Sequence, residues 1–128
     1  MHLIGVKEEN GWLISRWELT YRVGWDTIAK GVSSVFEYYE QTEVLVNGNS
    51  VKVSSKDDIL KIPEDRTLCI RGLSTIIKVP IMITFYNQLA AVDVSVAPAN
   101  EEFKKADYEA FNHSLCQYMD SIELAMYR

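Results

Sequence analysis

The chain has 128 residues, 48% of them hydrophobic and 24% charged. That is globular rather than disordered composition, and the length suits one α+β domain, residues 1–128, burying roughly two-thirds of the surface its unfolded form exposes. Lys and Arg number 13 against 18 Asp and Glu, for a net charge of −5, and scattered cations on an acidic chain disfavour nucleic acid, whose phosphates need clustered ones.

His2 to Val6 reads as a short strand, and Glu9-Asn10-Gly11 as a turn, because Asn-Gly tolerates positive φ. From Leu13 to Val23 the odd positions are Leu13, Ser15, Trp17, Leu19, Tyr21 and Val23, and the even ones are mostly polar. This alternation predicts a half-buried strand that forms a hairpin with the first. Asp26 is the expected N-cap of an amphipathic helix in which Ile28, Val32, Val35, Phe36 and Tyr39 recur at helical spacing.

Val44 to Val51 holds Asn47-Gly48 between β-prone flanks, the signature of a two-residue hairpin. That register sets Val44 opposite Val51, and Glu43 opposite Lys52 as an opposite-charge pair. Asp58 to Ile62 is expected as a strand or a short helical turn, ended by Pro63. Arg66 to Arg71 reads as a strand.

Thr75 to Tyr86 is apolar on both sides. It predicts a central strand covered on both faces or passing into an interface, with Pro80 marking a bulge or a break because it lacks a ladder donor. After a turn at Asn87-Gln88, Leu89 to Ala97 returns with Ala90, Val92, Val94 and Val96 on one face. Asn100 to Tyr127 reads as a long amphipathic helix capped by Asn100, with Glu101 and Glu102 at its positive end. Its core stripe runs Tyr108, Phe111, Leu115, Tyr118, Met119, Ile122, Ala125 and Met126. The predicted fold is a mostly antiparallel sheet of about five to seven strands, with two amphipathic helices packed mainly on one face.

The apolar runs are interrupted by Lys78, Asn87 and Asp93, so none suits a bilayer span. Met1 to Lys7 lacks the charged start of a secretory signal. Cys69 and Cys116 are too few for a disulfide framework. A soluble cytoplasmic protein with reduced thiols is expected.

Residues that could carry chemistry are sparse. His113, Cys116 and Asp120 are spaced i, i+3, i+7 on the last helix, where an imidazole and a thiolate could begin a zinc or nucleophilic site. A solvated helix face is the plainer expectation, with no metal and no cofactor. Glu102, Glu109, His113, Asp120 and Glu123 share that outward side as an acidic stripe that would attract a basic protein. Of the many aromatic residues in the first forty, Trp12 and Tyr38 fall off the predicted core faces and are candidate pocket or interface residues. Asp57-Asp58 and Glu64-Asp65 are adjacent carboxylates in loops, and adjacent residues do not face one site. Asp93 interrupts an apolar strand. Buried, it would need a partner and carry a raised pKa; an outward place on the sheet's second face is the expectation.

Phosphate-binding glycine loops, nucleophile elbows and Cys-x-x-Cys pairs are absent from the sequence. The expected function is therefore non-enzymatic protein binding, with a toxin-neutralising immunity protein for a basic partner as its concrete form. The alternative is a small-ligand pocket or small enzyme between a curved sheet and a helix. A homodimer through the two-sided strand Thr75 to Tyr86 is a third reading.

Overall fold

A computed structural model describes residues 1–97 and 105–128, with the backbone alone for 105–111. In chain order the elements are β1 (His2–Glu9), β2 (Trp12–Glu18), α1 (Trp25–Phe36), β3 (Tyr39–Val46), β4 (Asn49–Val51), α2 (Lys56–Leu60), β5 (Thr67–Ser74), β6 (Pro80–Tyr86), β7 (Ala91–Val96) and α3 (Lys105–Met126). The strands form one seven-stranded sheet in the order β1-β2-β7-β6-β5-β3-β4. Every neighbouring pair is antiparallel. The fold is α+β, as the alternation of the strands and the helical stripes predict.

One face of the sheet and the two long helices enclose the core. Trp17, Val92, Val94, Ile83, Phe85, Ile70 and Val44 point into it from the strands. Ile28, Val32 and Val35 of α1 meet them, with Leu115, Met119, Ile122 and Met126 of α3. Each such side chain withdrawn from water contributes roughly 1.5–3 kcal/mol. The predicted stripe of α3 is thus buried from Leu115 onward, with Ala125 half-buried at its margin. Asn100, Glu101 and Glu102 lie outside the described residues, as do the side chains of Tyr108, Glu109 and Phe111.

Several boundaries differ from the sequence expectations, each for a local reason. β1 runs on to Glu9, with a bulge between Leu3 and Gly5. β2 stops at Glu18 rather than Val23. The Thr20 N–H and hydroxyl donate instead to the Glu123 carboxylate, at 3.3 and 2.9 Å, which draws the chain out of the ladder. Tyr21 is consequently exposed. Asp26 does not cap α1: the helix begins at Trp25 with Gly24 in the N-cap position, and Asp26 lies in the first turn. A carboxylate there still complements the helix dipole.

Val44 does face Val51 across the Asn47-Gly48 turn. Glu43 does not face Lys52, because β4 ends at Val51; on its other side Glu43 pairs with Arg71 of β5. Of the expected strand or helical turn from Asp58 to Ile62, the helical alternative holds for Asp58 to Leu60, the end of α2, and Lys61 and Ile62 follow it. The Asp58 carboxylate accepts the N–H groups of Ser54 and Ser55, which starts α2 and sets Ile59 into the core.

The predicted strand from Thr75 to Tyr86 divides. Thr75 to Val79 is the β5–β6 connection. The buried Ser74 hydroxyl accepts the N–H groups of Ile76 and Ile77, both at 3.3 Å. Lys78 takes positive φ of 59°, and Lys78 N–H closes on the Ser74 carbonyl at 2.9 Å. The apolar character of this loop has another cause, since Ile77 and Val79 pack on the core. Pro80 opens β6, where its missing N–H costs no ladder bond.

Candidate functional site

The second face of the sheet carries no helix among the described residues. Strand alternation sends Ala91, Asp93 and Ser95 of β7 to it, with Pro80, Met82, Thr84 and Tyr86 of β6, and Thr67, Cys69, Arg71 and Leu73 of β5. Trp12, Ile14, Arg16 and Glu18 of β2 continue it. The open side of an antiparallel sheet normally alternates to polar residues. Here Asp93 and Arg71 are the charged members of the three central strands, and the rest are small, hydroxylic or apolar.

Two adjoining depressions mark this face. The larger, of about 730 Å³, lies between Trp12 and Ile14 at one side and Leu73 and Arg71 at the other, with Met82 and Ser95 between them. The smaller, of about 540 Å³, runs from the β1 bulge at Ile4 to Arg16 and Asp93. Ile14 lines both.

The far wall of the larger depression is built by a bulge. The β3–β5 register slips between Glu40 and Glu43, and Gln41 takes positive φ of 53°. The bulged backbone closes onto Gly72, where an added β-carbon would lie 2.8 Å from the Glu40 carbonyl oxygen. Only glycine admits that approach.

The cations of the face, Lys7, Arg16 and Arg71, are each paired within it. The Arg16 Nε and Nη2 donate to Asp93 Oδ1 and Oδ2 at 2.8 and 2.9 Å. Tyr86 donates its hydroxyl to the same Oδ2 at 2.5 Å. The Arg16 hydrogen bonds hold the Asp93 carboxyl below its ordinary range, against the opposing effect of its partial burial. Partial burial and the Asp93 hydrogen bond push the Tyr86 phenol up. Asp93 therefore has the outward place expected of it, and its pKa falls rather than rises. Arg71 donates through Nε and Nη2 to Glu43 Oε2 at 2.8 and 2.6 Å, and these bonds lower the Glu43 pKa. Lys7 pairs with Glu9 at 3.2 Å.

The residues singled out in the sequence separate. Trp12 lines the larger depression and stands 40% exposed. Tyr38 is also exposed but lies at the α1–β3 turn, where its carbonyl accepts the Thr75 N–H and hydroxyl. His113 is exposed on α3, whereas Cys116 is half-buried against the core. Among the described residues no group of three His, Cys, Asp or Glu side chains is placed to hold a metal ion.

Asp120 and Glu123 share one cation. The Met1 ammonium lies 2.7 Å from Asp120 and 3.3 Å from Glu123. Glu123 is half-buried and takes both Thr20 donors as well. Two members of the acidic stripe are thus engaged within the chain. Ile14, Leu73, Met82, Arg16 and Arg71, by contrast, were not singled out by the sequence reading, because each is ordinary in its own strand. Only the strand order assembles them.

A pair of phenols lies on the core side. Tyr118 donates its hydroxyl to that of Tyr39 at 2.9 Å, in a buried setting. Burial pushes both phenols up, Tyr39 beyond the ordinary range of the group. No helix among the described residues is long and apolar enough to cross a membrane. Comparisons with protein-family models, with curated proteins and with solved structures find no match.

Proposed function

We propose that this chain is a protein-binding domain whose contact surface is the uncovered face of its sheet. One observation carries the reading. The outward residues of β5, β6 and β7 are predominantly uncharged, and an exposed tryptophan flanks the depression they form. Aromatic, Met and Arg side chains are the types enriched at interface centres, and Trp12, Met82, Arg16 and Arg71 supply them here. Burying a half-exposed tryptophan and its apolar neighbours stabilises an association at roughly 25 cal/mol per Å² removed from water, before the cost of immobilising the partners.

The acidic side of α3 is a weaker contact surface for a basic partner. Of its expected members, Asp120 and Glu123 are tied to Met1 and Thr20. An immunity protein that captures a toxin would fit the present reading if its contact lay on the sheet. The deep ligand pocket expected between sheet and helix has less support, since that space is filled by the core cluster.

The test is photo-crosslinking in the native cell with a benzoyl-phenylalanine at residue 12, beside the same label at residue 113. Discrete protein adducts from position 12 are expected. Adducts from position 113 with none from position 12 would place the contact on α3 and reject the sheet face.

A further inference from the structure

Resting on that reading of the sheet face, we infer that its occupant is a second copy of the same chain, docked sheet against sheet about a two-fold axis. The first argument is charge. The chain carries −5 overall, so two copies repel across most orientations. Across the uncovered face the repulsion is weaker, because the cations Lys7, Arg16 and Arg71 are each paired with a carboxylate of the same face, and only Glu18 and Glu40 add acid outside those pairs among the described residues. Glu18 stands apart at the end of β2 opposite to Trp12. A strongly basic partner would find two free carboxylates at the margins of this face and none at its centre, whereas an identical face, with its central charges cancelled, loses little by being met.

The second argument is area. Seven strands spaced about 4.8 Å apart, with about seven residues each at roughly 3.3 Å, span on the order of 700 Å². Two such faces bury about 1,400 Å², within the range of stable specific interfaces. The third is shape. A two-fold interface requires a patch that complements itself, a projection and a recess side by side. Trp12 is the projection and the depression over Met82 and Ser95 is the recess. In this arrangement Trp12 of each copy enters the recess of the other. Sheets stack about 10 Å apart, a gap that side chains of this size fill.

Sedimentation velocity over a dilution series tests this with wild type, Trp12→Asp and Leu124→Asp, each checked for native circular dichroism. Leu124 is 60% exposed on α3 and serves as the control. The expected result is a concentration-dependent dimer of wild type and Leu124→Asp, with the Kd raised about tenfold or more by Trp12→Asp. A wild type that stays monomeric overturns the inference, and so does a dimer that Trp12→Asp leaves intact. The two readings separate in the crosslinking experiment. Adducts from position 12 of twice the chain mass support both, whereas adducts to other proteins alone leave the contact face standing and reject the second copy.

Discussion

Arg16 holds both oxygens of Asp93 across the β2–β7 pair, Nε to Oδ1 at 2.8 Å and Nη2 to Oδ2 at 2.9 Å. The pair lines the smaller depression, and its two charges cancel there. Asp93→Asn removes the charge and keeps the shape, and is expected to lower stability by roughly 1 kcal/mol at neutral pH. The folded-state pKa of Asp93 lies below its unfolded value. Its contribution is therefore complete above the unfolded carboxylate pKa of about 3.9 and is lost as pH falls through the lower, folded one. Urea unfolding at a series of acidic pH values checks this: the gap between wild type and Asp93→Asn should narrow with acidification. A constant gap would show that the carboxylate's charge contributes nothing.

The buried phenols have the opposite sign. The Tyr39 and Tyr118 pKa values are raised in the folded chain. Their contribution is complete below the unfolded tyrosine value of about 10 and is lost as pH rises above it. The chain has seven tyrosines. In a spectrophotometric titration near 295 nm, Tyr39 and Tyr118 should ionise only together with alkaline unfolding. Tyr118→Phe should cost about 1 kcal/mol through the lost hydroxyl bond. Early, reversible ionisation of every tyrosine would contradict the burial of this pair.

α1 and α3 approach closely at Gly31. An added β-carbon there would lie 2.8 Å from the Met126 Cγ, and Met126 is itself buried. Gly31→Val should destabilise by about 1–3 kcal/mol through overpacking, despite the gain in helix propensity. Met126→Ala alone should cost about 2–5 kcal/mol. The double variant should cost less than the sum, because the shortened side chain vacates the space that valine needs. Strict additivity in thermal melts would show that the two residues do not meet.

On α3, Glu123 and Asp120 should behave differently. Glu123→Ala removes the acceptor for both Thr20 donors and should cost about 1–2 kcal/mol. Asp120 is an exposed member of its pair with Met1, and Asp120→Ala should stay within about 0.5 kcal/mol. Chemical denaturation of the two variants decides this, and equal losses would contradict the geometry.

Much of the fold was legible because periodicity is a local signal. The alternation of β7, the Asn47-Gly48 hairpin and the α3 stripe each follow from residues close in sequence. The errors arose where a distant residue decides. β2 ends early because Glu123 takes the Thr20 donors. Thr75 to Val79 looked like strand because Ile77 and Val79 serve the core from a loop. Glu43 turned to Arg71 rather than Lys52 because β5, not β4, lies beside it there. The candidate face was legible at Trp12 and at Asp93, whose outward place the strand alternation predicted. Its other members come from β2, β5, β6 and β7, whose adjacency depends on the order β2-β7-β6-β5. No local pattern encodes that order.

Hydroxyl-radical footprinting of the wild-type chain over a dilution series addresses the central claim most directly. Trp12 and Met82 report on the sheet face, and Tyr21 and Tyr127 report on the opposite side, where their rings meet edge to face at 5.9 Å. The expected result is protection of Trp12 and Met82 as the chain is concentrated, with Tyr21 and Tyr127 oxidised at a constant rate. Oxidation of Trp12 and Met82 that does not change with concentration, or protection confined to the tyrosines, would contradict the sheet face as the surface on which this chain meets its own copy.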